Sequence, residues 1–477
     1  MKEFLTTIGL EVHVQLRTHS KMFCGCGTSF GAPPNTQVCP VCLGYPGSLP
    51  VMNREAIRLT VLAGLMLGCR INPFSKFDRK NYFYPDMPKN YQISQYDKPL
   101  CLGGAVEMEV AGHCRRIGLT RIHLEEDVAK NLHMETWSGI DFNRAGVPLM
   151  EIVSDPELES ADEAMAYLQT LRQILVYAGV SECNMEEGNM RCDVNVSLRP
   201  AGQAALGTKA EIKNLNTFKG VHAALTFEIA RQRDVLAAGG RIIQETRRWD
   251  ADTGQTYSMR SKEEAHDYRY FPEPDLMPVA LPDELLQQWA AGLPELPARR
   301  RARFVSEYGI PDYDAGVLSA ERAIGDYFES AARGSRFPKA VSNWIMTDVL
   351  RTLSERSIPV ERFPIPADAL AELVELAENR KINSNTARTV FAIMLAEGGR
   401  AGDIVRDRGL AQVSDSGAMD AMVRKTVEEN PKSAQDYRGG KDAALKFLVG
   451  QVMRASKGKA DPQMAADMLV KLLGRPD

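Results

Sequence analysis

Between Ile8 and Leu16 the chain alternates strictly, with Leu10, Val12, Val14 and Leu16 apolar and Glu11, His13 and Gln15 polar between them. A period of two belongs to an extended strand with one face buried, so a half-buried strand is predicted here. The alternation returns from Met190 to Leu198, where Arg191, Asp193, Asn195 and Ser197 share the polar face, and again over Lys209 to Lys213. Three such strands predict one antiparallel sheet whose polar face is a floor for ligand. Elsewhere the period lengthens. Ser160-Ala-Asp-Glu163 reads as a capping box, followed by Ala164, Tyr167, Leu168, Leu171, Ile174 and Leu175 at helical spacing and a stop at Gly179. Thr217 opens another helix that ends at Gly239-Gly240. Strands and helices alternate without a repeated strand-helix-strand period, which makes the first 290 residues α+β.

After Leu276 the pattern changes: Pro278, Pro282, Pro294 and Pro297 punctuate a connector, and strand signals nearly vanish. Ala-rich amphipathic segments such as Ala340 to Leu353 and Ala444 to Ala455 predict helices, and a break near 409–416 divides this half. The expected organisation is a sheet domain over 1–292, a helical domain over 293–407 and a small helical tail over 408–477.

Composition adds three constraints. With 477 residues, 44% of them hydrophobic, the chain can bury a large core in two or three domains. Net charge is −4, but residues 408–477 carry twelve Lys or Arg against nine Asp or Glu, a local +3 that leaves −7 for the rest. That asymmetry fits a weakly basic appendage meeting a polyanion beside an acidic body that holds metal. The longest uncharged apolar run, Val61 to Cys69, is too short to span a bilayer, no apolar leader follows Met1, and nine cysteines are an odd number. A cytoplasmic protein in a reducing compartment, with no membrane partner, is therefore expected.

Cys24-Gly-Cys26 and Cys39-Pro-Val-Cys42 are two close pairs joined by a loop rich in Gly, Pro and Asn, the spacing of a structural four-cysteine zinc site. Four thiolates leave no open coordination position, so such a zinc staples a loop and activates no water. Glu11 and His13 lie two apart on one strand face, with Cα atoms about 7 Å apart, and can converge on one ion. Glu126 falls on the face of Ile122 and Leu124, and Glu151 lies among Val147, Leu149 and Val153. Carboxylates on apolar faces need a partner, an arginine or a cation. Together Glu11, His13, Glu126 and Glu151 are candidate Mg²⁺ ligands.

Residues 260–275 hold eight charges, three aromatics and two prolines in sixteen positions. The prolines forbid a helix interior or a central strand, so an ordered loop is expected. Its mixed charges and tyrosines suit phosphate oxygens, a divalent cation and a nucleobase face; a solvated charged connector is the alternative. Lys80, Lys89, Lys209, Lys213, Arg247 and Arg248 are basic candidates for the phosphate side. The sequence has no Gly-x₄-Gly-Lys-Ser/Thr loop and no Gly-x-Gly-x-x-Gly, and its Gly-x-Ser-x-Gly match, Gly27 to Gly31, falls in the Gly-, Pro- and Asn-rich loop between the cysteine pairs, with no helical pattern after it. A nucleotide would be held on the sheet by side chains, and serine-hydrolase chemistry is disfavoured.

In chain order, Gly9-Leu-Glu11-Val-His13-Val, Phe77-Asp-Arg79-Lys80-Asn-Tyr82-Phe-Tyr84-Pro-Asp86, His123-Leu-Glu125-Glu126-Asp127, Met185-Glu-Glu187-Gly-Asn-Met-Arg191-Cys-Asp193-Val-Asn195, Lys209-Ala-Glu211-Ile-Lys213-Asn-Leu-Asn216, Glu245-Thr-Arg247-Arg248 and Asp267-Tyr268-Arg269-Tyr270-Phe271-Pro-Glu273-Pro-Asp275 form a set. With Phe447-Leu-Val-Gly-Gln-Val-Met-Arg454 near the end, they resemble the B subunits of the bacterial tRNA-dependent amidotransferases over the whole chain. The resemblance implies a cradle domain like those of glutamine synthetase and guanidino kinases, then a helical domain and a tail that touches tRNA. It implies ATP, misacylated tRNA, and two partners in a heterotrimer: an amidase (glutaminase) subunit that releases ammonia from glutamine, and a small third subunit. The implied reaction transfers the γ-phosphoryl of ATP to the side-chain carboxylate of Glu on tRNA(Gln) or Asp on tRNA(Asn), which ammonia then attacks. On that reading Glu11, His13, Glu126 and Glu151 hold Mg²⁺, Arg247, Arg248, Lys262 and Arg269 clamp phosphates, and Tyr268 and Tyr270 pack on base or ribose. Lys80, Lys89 and Glu126 line a path for ammonia. One departure is Val128-Ala-Lys130 where the family has Ala-Gly-Lys, which removes a glycine's backbone freedom. The alternative function is a non-catalytic, zinc-containing tRNA-binding scaffold.

Overall fold

A computed structural model describes residues 3–259, 267–411, 416–456 and 460–474. The chain divides into two compact units, Met1–Leu296 and Pro297–Asp477.

The first unit is built on a ten-stranded sheet. Phe4–Gln15 lies at its centre, flanked antiparallel by Met190–Pro200 on one side and Pro148–Ser154 on the other. Outward from Met190–Pro200 come Ala210–Lys213, Glu245–Asp250 and Gln255–Ser258; outward from Pro148–Ser154 come His113–Glu126 and short strands beyond it. The sheet is mixed and not purely antiparallel, because Ala210–Lys213 and Glu245–Asp250 run parallel. Parallel neighbours need a long crossover, and the 20-residue helix Phe218–Ala237 supplies it.

The strand alternation sorts the two faces. Ile8, Leu10, Val12 and Val14 are at most 1% exposed and join a core with Ile122, Leu124, Val194, Tyr167, Leu171 and Leu225. Helices Arg54–Met66, Ala161–Tyr177 and Phe218–Ala237 contribute to that core. Ser160 caps its helix by accepting the Glu163 amide at 3.1 Å, while the Glu163 carboxylate accepts the Glu159 amide at 2.8 Å. Thr217 caps the next helix through the Gly220 amide. Ala129 has no positive φ, so an alanine at this position needs no special backbone freedom.

A three-stranded sheet of Asp78–Asn81, Tyr91–Ser94 and Phe271–Pro272 stands beside the main one. Arg79 forks onto Glu273 at 2.7 and 2.8 Å, and the Glu273 side chain is wholly buried. This bidentate pair fastens residues 267–275 onto the hairpin that carries Lys80 and Lys89. Pro272 sits in an edge strand, where its missing N–H leaves no gap in a ladder. Residues 260–266 lie outside the described residues.

Among the described residues the second unit contains helices and no strand. One hydrophobic cluster gathers around Phe304, Phe328, Leu370 and Phe391, and another around Met419, Val423, Leu448 and Leu469. The helix expected over 340–353 is interrupted by a π-turn at Ile345–Val349. There the Thr347 and Thr352 hydroxyls donate to the carbonyls of Asn343 and Asp348 and compete with backbone donors. Among the described residues no helix is long and apolar enough to cross a membrane.

Candidate active site and metal centres

The register assembles the site on the polar face. His13 pairs across to Glu151, Glu151 to His123, and Leu149 to Glu125. His13, His123, Glu125 and Glu151 therefore project together. His13 Nε2 is 3.2 Å from Glu151 Oε2, and His123 Nε2 is 3.6 Å from the same oxygen and 3.5 Å from Glu125 Oε2. Ligand atoms of His13, Glu125 and Glu151 all lie within 4.8 Å of one another. Burial alone would raise the Glu151 carboxyl, but the imidazoles of His123 and His13 and the Lys80 ammonium outweigh it and hold Glu151 well below the usual carboxylate range. Burial pushes Glu125 up in the same way, and His123 and Lys80 again outweigh it, so this carboxyl too is lowered. Burial would lower His13, yet Glu151, Glu125 and Asp193 overcome it and leave the imidazole raised. Two buried, anionic carboxylates and an imidazole at this spacing fit a divalent cation.

Glu126 is not part of that cluster. Neighbours on a strand point to opposite faces, and Glu126 turns with Ile122 and Leu124 to the side away from His123 and Glu125. Its Oε1 accepts from Lys89 Nζ at 2.5 Å and from the Ile93 amide at 2.9 Å. Glu125, which its strand parity with His123 would have identified, takes its place. Glu11 is on the correct face but one pleat along, bonded to Asn195 at 3.0 Å. Beside it Lys213 bridges Asp193 at 2.7 Å and Glu211 at 3.1 Å. Glu11, Ser154, Asn195, Ser197, Leu206 and Lys209 line a cleft at this end of the face.

The basic candidates separate. Lys80 belongs with the carboxylate cluster and not with Lys89: burial works against its ammonium, but Glu125 and Glu151 raise it, and Nζ lies 4.9 Å from the Tyr268 ring. Arg247 points to the helix-covered face, where it meets Glu228 at 3.3 Å and Glu245 at 2.5 Å, so it is not a clamp in the cleft. Arg248 takes the opposite parity and is half exposed, 3.4 Å from Asp250. Arg269 is exposed, has φ +44 and lies 5.8 Å from the Phe83 ring. Tyr270 stacks on Tyr96 at 4.3 Å and meets Tyr268 edge-on at 6.0 Å. Tyr96 carries no signal in the sequence beyond being aromatic. Lys262 lies outside the described residues.

Cys24, Cys26, Cys39 and Cys42 come together with all four sulfurs within 4.8 Å of one another. Zinc–sulfur bonds of about 2.3 Å in a tetrahedron require sulfurs about 3.8 Å apart, and those of Cys39 and Cys42 are 4.0 Å apart. The donor set thus fits zinc. The Cys42 thiol is pulled down by its bond with Cys24 and by the nearby Lys21 ammonium, against burial. Lys21 is itself 1% exposed, with Nζ 3.5 Å from Cys42 Sγ and 3.1 Å from the Phe142 carbonyl oxygen.

A mixed sheet with an acidic, cation-ready face, a four-cysteine knuckle and a helical second unit defines the class. A family profile described as the GatB/GatE catalytic domain matches residues 6–287, and one described as the GatB domain matches residues 326–473. The chain belongs to this family. It is 52% identical over 474 residues to the B subunit of the aspartyl/glutamyl-tRNA(Asn/Gln) amidotransferase of Caldanaerobacter subterraneus subsp. tengcongensis, covering 99% of this chain and 100% of that one. It is 51% identical over 481 residues to the protein of the same description from Carboxydothermus hydrogenoformans, covering 99% and 100%. The corresponding Chlorobium chlorochromatii protein is 51% identical over 472 residues, covering 99% of each chain.

Proposed function

We propose that this chain is the subunit of a tRNA-dependent amidotransferase that activates the side-chain carboxylate of Glu on tRNA(Gln) or Asp on tRNA(Asn) with ATP and converts it to the amide. The observation that carries the reading is the convergence of His13, Glu125 and Glu151 on one face of the central sheet. A divalent cation held there, Mg²⁺ in the first instance, would offset the charge of the triphosphate. Lys80 adds a fixed positive charge beside it, and Tyr96, Tyr268 and Tyr270 offer ring faces for the terminal nucleoside of the tRNA. The cleft of Glu11, Ser154, Asn195, Ser197 and Lys209 receives the nucleotide. On this reading the sheet is a cradle of the glutamine synthetase and guanidino kinase kind.

A carboxylate resists ammonia because the attack must expel an oxide. Transfer of the γ-phosphoryl to one carboxylate oxygen, with release of ADP, turns that oxygen into part of a phosphate leaving group. Ammonia then attacks the carbonyl carbon, phosphate departs with the oxygen, and ammonia gives up a proton. Lys89 and Glu126 line the entry of ammonia from an amidase partner, with a small third protein completing the heterotrimer. The knuckle cysteines bind a structural zinc, and the helical tail contacts tRNA.

The test is isotopic. With ¹⁸O in the side-chain carboxylate of the misacylated tRNA, each amide formed should leave one ¹⁸O in inorganic phosphate. Amide without labelled phosphate excludes the acyl phosphate, and tRNA binding with no ADP formation returns the scaffold alternative.

A further inference from the structure

The cavity in front of Glu126 is walled by the knuckle itself: Lys21, Cys24, Cys42 and Gly44 line it together with Lys89 and Glu126. Gly44, two residues past Cys42, has φ +69, and a Cβ added to it would lie 2.6 Å from Lys89 Cγ and 3.2 Å from Lys89 Cα. A glycine is thus needed there twice over, for its backbone and for the approach of the lysine. On the other side, a Cβ on Gly146 would lie 3.5 Å from Cys42 Cβ and 3.8 Å from Glu126 Oε2, so one glycine's thickness separates the knuckle from the carboxylate. The Met22 amide donates to the Gly146 carbonyl at 2.7 Å, and the Lys21 amide to the Cys26 carbonyl at 2.9 Å, which ties that glycine to the knuckle's first cysteine pair. His13, Glu125 and Glu151 lie across the sheet from this cavity.

We propose that the four-cysteine knuckle is one wall of the ammonia entry and that, through Gly44, it holds Lys89 on Glu126. Gly44 is then a positioning residue for amide formation and not for carboxylate activation. The inference rests on the reading of Lys89 and Glu126 as the ammonia entry. Metal in the knuckle fixes the Cys39–Cys42 turn, the turn fixes Gly44, and Gly44 leaves the Lys89 stem one course, toward Glu126 Oε1.

The test uses the assembled enzyme carrying Gly44→Ala and, because alanine at a positive φ also loosens the knuckle, wild-type enzyme stripped of zinc by a chelator. Acetylation of Lys89 by acetic anhydride, read by mass spectrometry, should accelerate in both, by about tenfold in Gly44→Ala, the size expected when an overpacked contact is displaced. Glutamine-supported amidation should fall about tenfold, while amidation with ammonium chloride and tRNA-dependent ADP formation stay within about twofold of wild type. Unchanged Lys89 labelling in both preparations overturns the coupling. Faster labelling with an unchanged ratio of glutamine- to ammonium-supported rates overturns the entry role itself, and Lys89→Met, measured in the same ratio, identifies that failure independently. A parallel fall of all three activities also overturns the proposal, since the knuckle would then serve the fold as a whole.

Discussion

Glu125 and Glu126 are chemically identical neighbours that the strand assigns to different steps, so a carboxylate-to-amide exchange at each should separate those steps. Glu125→Gln removes one of two carboxylates from a cluster whose ligand atoms lie within 4.8 Å, and leaves the Ser94 hydroxyl, now 3.0 Å from Glu125 Oε2, an oxygen to bond. The change is one of charge more than of packing. Losing one buried group that stabilises a transferring phosphoryl is worth about 3–4 kcal/mol, a drop of about a hundred- to a thousandfold in rate. Glu126→Gln keeps an acceptor for the Ile93 amide but strips the counter-charge from the Lys89 ammonium, whose side chain is only 11% exposed. A buried charge left unpaired costs about 3–5 kcal/mol, so Lys89 will move and amide formation will fall by about a hundredfold or more. ADP release in the presence of misacylated tRNA, and amide formation measured on the amino acid freed from that tRNA, read the two steps separately. Glu125→Gln should abolish both; Glu126→Gln should keep ADP release within about threefold of wild type while losing amide. If Glu126→Gln suppresses ADP release as deeply as Glu125→Gln, the two residues serve one site and the assignment by strand face is wrong.

Arg247→Met takes one partner from Glu228, a fully buried carboxylate that Arg231 also holds at 2.6 Å, and should destabilise the first unit by about 2–3 kcal/mol with the KM for ATP unchanged. Denaturant unfolding followed at Trp249 together with steady-state kinetics checks this, and a tenfold rise in KM at an unchanged midpoint would restore Arg247 as a phosphate clamp. In the second unit, burial pushes the Glu329 carboxyl up, but Arg303 and Arg300 outweigh it and hold the group low. A depressed carboxylate stabilises above its unfolded value of about 4.3, and that contribution disappears as pH falls through the lower folded value. Glu329→Gln should therefore flatten the acid-side rise in hydrogen exchange of helix Arg322–Arg333; the same slope in both proteins would refute it. Replacing Cys39 with serine should reduce bound zinc, measured by atomic emission, to near zero per chain, whereas full retention would show that the metal sits elsewhere.

The pattern of the sequence reached the local elements and stopped where pairing begins. The strands at 4–15, 190–200 and 210–213, the Ser160 cap and the four cysteines were legible because each is fixed by residues close in the chain. The parallel pairing of Ala210–Lys213 with Glu245–Asp250 was not, since it is set by how the helix Phe218–Ala237 folds back. For Glu126 the sequence itself points away from a metal ligand: its shared parity with Ile122 and Leu124 marks the core side, and Glu125 is the residue in phase with His123. Arg247 was illegible for a different reason. Its partner Glu228 sits on a helix, and no spacing within either segment reveals that the two meet.

The strand His113–Glu126 has a further consequence for how the chain can vary. Inserting or deleting one residue between Arg121 and Glu126 would interchange the two sides, sending Glu126 toward His13 and Glu125 into the apolar layer. The irregularity opposite Val153 and Ser154 lies before this stretch, so the frame from Arg121 onward is unbroken. Length changes in relatives should thus collect at the Ala111–Gly112 hairpin end, while the count of residues from 121 to 126 stays fixed even where side chains drift.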